Sequence, residues 1–346
     1  MDKLVSLQIL RALAAWLVVL HHYHQFFHNM DESVGLWRFS SAVGTYAVFV
    51  FFVISGFIMH RSLSERPVSA ARFIARRLER IVPAYWVATL GLMLAASLVG
   101  AGFLHWGVWT PQSLLLSLGF VPHQHPAGLG LFPVLTVGWS LNFEMFFYVL
   151  LAVMLALFGR VWLLPTLLVL CLLPLLWGSQ WWFASIAASP LLLLFALGLL
   201  AGQWLVLPAQ RSRGAVLLAL LTAGLTLAYL ATFPWPVIWH YPGAFKMFLA
   251  CAAVLCALLC HNWVGRLPGV RLWAQLGDCS YSTYLWHPVV LVLLEGLAWG
   301  ALEGGREWLR FVVYVLLVYL LSRLSHRYLE SPRWLGKPGL APRALS

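Results

Sequence analysis

Apolar stretches of about twenty residues recur along nearly the whole chain, each long enough to cross the hydrocarbon core of a bilayer as a helix. About ten can be read, at 5–27, 42–60, 81–104, 138–158, 161–177, 188–207, 214–233, 245–263, 279–300 and 307–328. Only 10% of the residues are charged and 62% are hydrophobic, with a mean hydropathy of +0.85. Soluble domains carry about 25% charged residues, so a water-soluble fold could not cover its surface from this composition. Many of the 19 tryptophans flank apolar runs, where an amphipathic ring lies at headgroup level. The reading is an all-α, polytopic membrane protein forming a single transmembrane domain, 1–346, with a short basic C-terminal tail. The loop 105–137 contains a short apolar stretch, 112–121, expected as a re-entrant or interfacial helix.

The basic residues set an orientation. With the N-terminus in the cytoplasm and ten alternating spans, 17 of the 22 Lys and Arg residues fall inside and 4 outside, with Arg11 within the first span. Both termini are therefore expected in the cytoplasm. The net charge of +11 follows from this asymmetry and calls for no nucleic-acid partner. The five cysteines lie in or beside apolar runs and read as packing residues; the histidines show no metal-site spacing.

Charged groups within spans are costly and ask for a reason. Arg11 and His22 lie 11 residues apart on the first span, about 20° from one face and about 16 Å along the axis. Arg11 falls toward the cytoplasmic end and His22 toward the outer end, while His21 and His24 point elsewhere. That layout suits a ligand anionic at one end and reactive at the other, as acyl-coenzyme A is. The alternative is an arginine that snorkels to the headgroups and an interfacial histidine. Arg77 and Arg80 are neighbours on one face before the third span. They are suited to phosphate, or to anchoring on anionic lipid. Glu144, in the run Trp139-Ser140-Leu141-Asn142-Phe143-Glu144-Met145-Phe146-Phe147-Tyr148, is an acid expected at the depth of His22. There it can orient and support the imidazole, or it can make a packing hydrogen bond to Trp139 or Tyr148. The run Ser280–Pro288 carries Tyr284 and His287, for which interhelical packing is the favoured role.

At these positions the chain resembles the acyltransferase 3 family of bacterial membrane acyltransferases. The resemblance rests on Arg11 with His22, Phe51–Phe57, Arg77-x-x-Arg80 with Pro83 and Tyr85, Trp139-Ser140 through Tyr148, Ser280–Pro288 and Glu330-Ser331-Pro332, in that order. The form Leu141-Asn142-Phe143-Glu144-Met145-Phe146-Phe147-Tyr148 looks most like the group associated with exopolysaccharide production. The resemblance implies ten spans in the bacterial cytoplasmic membrane, no bound cofactor, an acyl-CoA co-substrate with acetyl-CoA expected first, and a carbohydrate or lipid-linked glycan acceptor. It implies that His22 and Glu144 are catalytic, that Arg11, Arg77 and Arg80 bind acyl-CoA, and that Tyr148, Trp139, Tyr284 and His287 line the site. Many relatives have a second acid where this chain has Met145, so no carboxylate dyad is expected. Any second, extracytoplasmic enzyme completing the transfer is expected to be a separate polysaccharide-synthesis protein. The rival readings are a transporter or flippase for a lipid-linked saccharide, an acyltransferase of the other large membrane fold, and a scaffold for a polysaccharide synthase.

Overall fold

The computed structural model describes residues 4–28, 35–65, 68–99, 107–176, 182–204, 243–296 and 305–330. The seventh expected segment, 214–233, and the basic tail from 331 lie outside them. Among the described residues the regular structure is all helical: α1 (Val5–His28), α2 (Gly35–Glu65), α3 (Ala70–Val99), α4 (Pro111–Leu118), α5 (Trp139–Phe158), α6 (Leu163–Leu176), α7 (Trp182–Ala187), α8 (Leu192–Trp204), α9 (Gly243–Leu259), α10 (His261–Val264), α11 (Val270–Asp278), α12 (Ser280–Gly296) and α13 (Gly305–Ser325). Among the described residues, five helical stretches are long and apolar enough to cross a membrane: Val5–His28, Ala47–Glu65, Ala70–Val99, Thr136–Val161 and Arg306–Glu330. Three shorter apolar helices lie at Leu163–Pro174, Leu192–Gln203 and Met247–Leu259. Leucines such as Leu94, Leu98 and Leu157 are largely exposed, as side chains facing lipid would be.

The arginine-rich stretch 61–80, expected to separate two spans, is mostly helix. α2 runs on to Glu65 and α3 begins at Ala70, so the arginines ride on helical extensions. Arginine is a good helix former, and Arg61 pairs with Glu65 one turn later at 2.7 Å. In the expected loop helix, Thr110 and Ser113 form a reciprocal capping box with Pro111 in the first turn. α12 runs through Pro288 as one helix.

The chain forms two compact units, each assembled from two separate stretches: residues 1–73 with 139–280, and 74–138 with 281–346. In the first, α2 touches α1, α5, α8 and α9. Its tightest crossing is with α8. A methyl group on Gly56 would collide with the Phe195 carbonyl oxygen, and one on Gly198 with that of Val53. Small residues at a crossing let two backbones approach, the main route to helix association where lipid removes the hydrophobic drive. Beside this crossing Phe52, Phe195 and Phe147 stack in series, with ring centroids 4.7 and 4.4 Å apart. α11 lies on α1, with Gly277 against the carbonyl of Gln8.

In the second unit, the Tyr281 hydroxyl donates to the Ile81 carbonyl at 2.9 Å, and Gly91 makes room for the Trp286 ring. The segment between α4 and α5 has little regular structure but is firmly tied. Ser117 Oγ accepts from Val134 N–H at 2.8 Å and donates to the Ser113 carbonyl at 2.7 Å.

Candidate active site

α1 holds three histidines within four residues, and each meets a different environment. His21 is buried and its Nδ1–H donates to the Ser40 carbonyl of α2 at 3.1 Å. His24 is fully buried, with Nδ1 3.1 Å from the Ser40 hydroxyl. These two fasten α1 to α2. His22 is half-buried, and its Nδ1 lies 3.0 Å from the carbonyl of Val18, one turn back on its own helix. A carbonyl only accepts, so Nδ1 carries the proton of the neutral ring and Nε2 keeps its lone pair. His22 is thus oriented as a base or nucleophile through Nε2. Arg11 is also half-buried, with Nη1 3.4 Å from Gln8 Oε1.

Glu144 is half-buried on α5, and its Oε1 accepts a 2.5 Å hydrogen bond from Ser55 Oγ of α2. The hydroxyl donates and the carboxyl oxygen accepts, at the short end of the O–H···O range. The expected orienting bond to the His22 ring is therefore replaced on both sides: Val18 orients His22 and Ser55 holds Glu144. The packing alternative looked to Trp139 or Tyr148, and a cross-helix bond does exist, but to Ser55. Trp139 packs edge-on against Phe52 at 6.3 Å, one helical turn from Ser55. The pairs Phe52–Trp139 and Ser55–Glu144 form two rungs between α2 and α5. Tyr148 is buried against Phe73 and Phe147.

The remaining expected residues belong to the second unit. Arg77 is half-buried and Arg80 exposed, both on the first turns of α3. Arg80 has a counter-charge: it acts electrostatically on Glu330. The Glu330 carboxylate also accepts from Ser282 N–H at 3.1 Å and from the Ser282 hydroxyl, with His326 Nδ1 3.4 Å away. The Tyr284 hydroxyl donates to the Val137 carbonyl at 2.7 Å. His287, fully buried, lies with Nδ1 3.3 Å from the Thr283 carbonyl and its ring beside Tyr284.

The acyltransferase domain of the acyltransferase 3 family matches residues 4–326, nearly the whole chain. The chain belongs to this family. The exopolysaccharide production protein ExoZ of Rhizobium meliloti is 38% identical over 300 residues, covering 84% of this chain and 89% of the relative. BcsY of Komagataeibacter xylinus, named as a membrane-bound transacylase, is 30% identical over 92% of this chain and 82% of its own. Nodulation protein 10 of Rhizobium leguminosarum bv. viciae is 27% identical over 99% of this chain and 96% of its own. No solved structure matches the chain. Membership makes it an acyltransferase-family membrane protein, consistent with the apolar helices. The side chains without an assigned role at the sequence level are Ser55 and Glu330. Both lie in runs quoted for the resemblance, but hydroxyl and carboxyl groups reveal partners only when distant segments come together.

Proposed function

We propose that this acyltransferase 3 member is a ten-span O-acyltransferase of the bacterial cytoplasmic membrane, with both termini in the cytoplasm. It moves an acyl group, acetyl above all, from cytoplasmic acyl-CoA to a carbohydrate hydroxyl of an exopolysaccharide, O-antigen or related glycan. The observation that carries this reading is the Val18 hydrogen bond, which leaves His22 Nε2 as the basic nitrogen of a half-open imidazole on the helix face that also bears Arg11. In direct transfer, Nε2 takes the proton of the acceptor hydroxyl as its oxygen attacks the thioester carbonyl. The C–S bond then breaks and the proton passes to the departing thiolate. In the covalent variant, Nε2 itself attacks the thioester carbonyl and the C–S bond breaks to release the CoA thiolate; the acceptor hydroxyl then attacks the acyl carbon, the N–C bond breaks, and the hydroxyl proton passes to the freed imidazole. The Glu144 carboxyl group supports His22 in this role. Arg11, Arg77 and Arg80 are the residues assigned to acyl-CoA binding, as guanidinium groups suited to phosphate. The likeness to ExoZ and BcsY supports an envelope polysaccharide as acceptor.

The test uses the purified chain in nanodiscs with radiolabelled acetyl-CoA and a lipid-linked glycan fraction. Label should enter the glycan with release of CoA, and a rapid quench without acceptor reports whether an acyl-histidine forms. Saccharide movement across the bilayer with no consumption of acetyl-CoA or succinyl-CoA would instead identify a transporter.

A further inference from the structure

We infer that Ser55 is a positioning residue for the transfer reaction, holding the Glu144 carboxylate in the orientation that the chemistry uses. The inference rests on the acyltransfer reading above and deepens it. Ser55 and Glu144 are 89 residues apart in the chain, on α2 and α5, and meet through a 2.5 Å bond. Both are half-buried, so the bond does not lie in the closed core. One carboxylate oxygen, Oε1, is engaged by the hydroxyl. Oε2 is left without a hydrogen bond among the described residues, available to a group that arrives with substrate.

The scaffold around the bond is stiff where it has to be. Gly56, the residue after Ser55, lies at the backbone contact with Gly198 and Phe195 of α8, so α2 cannot slide or rotate at this level without a collision. One turn earlier, Phe52 is clamped between Trp139, Phe143 and Phe195. The hydroxyl donor is therefore presented from a fixed helix. Without it the carboxylate, on three rotatable bonds, would sample other rotamers. Held orientation of a charged group is worth more in a dry site than in water, since no solvent reorganisation is needed when charge develops. Ser55 touches neither His22 nor, on this reading, the reacting atoms; it acts through Glu144.

The decisive experiment is a double-mutant cycle on the full chain in nanodiscs, with acetyl-CoA turnover, acetyl-CoA affinity and Tm measured for Ser55→Ala, Glu144→Gln and the double variant. Ser55→Ala is expected to lower kcat by about tenfold or more, with KM for acetyl-CoA changed by less than about twofold. Ser55→Thr, which keeps the hydroxyl, should recover most of the rate. In the Glu144→Gln background, Ser55→Ala should cost less than about twofold more, because its client carboxylate is already gone. A Ser55→Ala chain as active as wild type overturns the assignment. So does multiplication of the two losses, which would make Ser55 a packing residue. If wild type consumes no acyl-CoA, the acyltransfer reading itself fails. The same cycle read in Tm then decides whether Ser55 holds Glu144: coupled changes uphold the pairing, and additive changes remove it.

Discussion

Two carboxylates, one in each unit, show how differently this chain uses an acid among apolar helices. Glu330 is closed in: its side chain is 3% exposed, and Ser282 supplies it with both a backbone N–H and a hydroxyl, while His326 and the charge of Arg80 lie nearby. Its partners come from the start of α12, the end of α13 and the first turns of α3, so it ties three chain segments of the second unit together. Glu144 has one donor, Ser55, on one oxygen, and remains half-open. A buried charge is tolerated when its partners satisfy it, and a fully satisfied one has no capacity left for substrate. A partly satisfied, half-buried acid keeps that capacity. The same contrast runs through the histidines of α1, where His21 and His24 are spent on Ser40 and His22 is bonded to its own helix.

If the open groups serve chemistry and the closed ones serve architecture, substitution should separate them. The largest effect is expected at His22: His22→Ala should lower kcat by about a thousandfold while Tm stays near wild type, since positioned acid–base groups contribute about 10²–10⁴. A comparable residual rate in His22→Ala and wild type would break the comparison at its centre. Next, Glu330→Ala should destabilise the protein by about 3 kcal/mol or more, because it strips the partners of a buried acceptor cluster. Glu144→Gln should leave Tm within a few degrees and lower turnover by about a hundredfold. Thermal melts and initial rates of the two variants give the answer, and a swap of the two phenotypes would reverse the roles argued here.

A finer division is expected between the two arginines. Arg77→Ala should weaken acetyl-CoA binding by about tenfold, and Arg80→Ala by less, since Arg80 is exposed and its charge is more screened by solvent than that of half-buried Arg77. Equilibrium titration with the labelled ligand distinguishes them. The smallest effect concerns His125, in the segment between α4 and α5. Its Nδ1 accepts from Ala127 N–H at 3.2 Å, and burial, helped by the neighbouring His123, depresses its pKa. A depressed folded-state pKa means that the unfolded chain takes up its proton first as pH falls. The stability from this site is therefore complete above about 6.5, the ordinary histidine value, and is lost as pH drops below it. His125→Gln should flatten the fall of Tm between about pH 7 and pH 5.

Much of the architecture was legible without coordinates, because hydropathy and helix periodicity are properties of consecutive residues. The segments beginning near residues 5, 138, 161 and 307 correspond to α1, α5, α6 and α13, and the apolar stretch inside the loop corresponds to α4. Helix ends were less legible: the stretch 61–80 looks like a polar separator by charge, yet its arginines are good helix formers, and Arg61 has an acidic partner, Glu65, one turn away. At the site, the shared face of Arg11 and His22 needs only the helical repeat. The Val18 carbonyl one turn before His22 follows from the same repeat, while the Ser55 partner of Glu144 does not.

The sequence by itself determined an apolar, all-helical chain, its family, and the few polar side chains that need an explanation inside the helices. Only the tertiary structure decided that Ser55 holds Glu144 and that Glu330 is closed around Ser282. Apolar burial is non-directional and can be summed along the chain. A hydrogen bond is directional and short, so its partner depends on which helix faces lie against each other, in this case across separations of 89 and 48 residues.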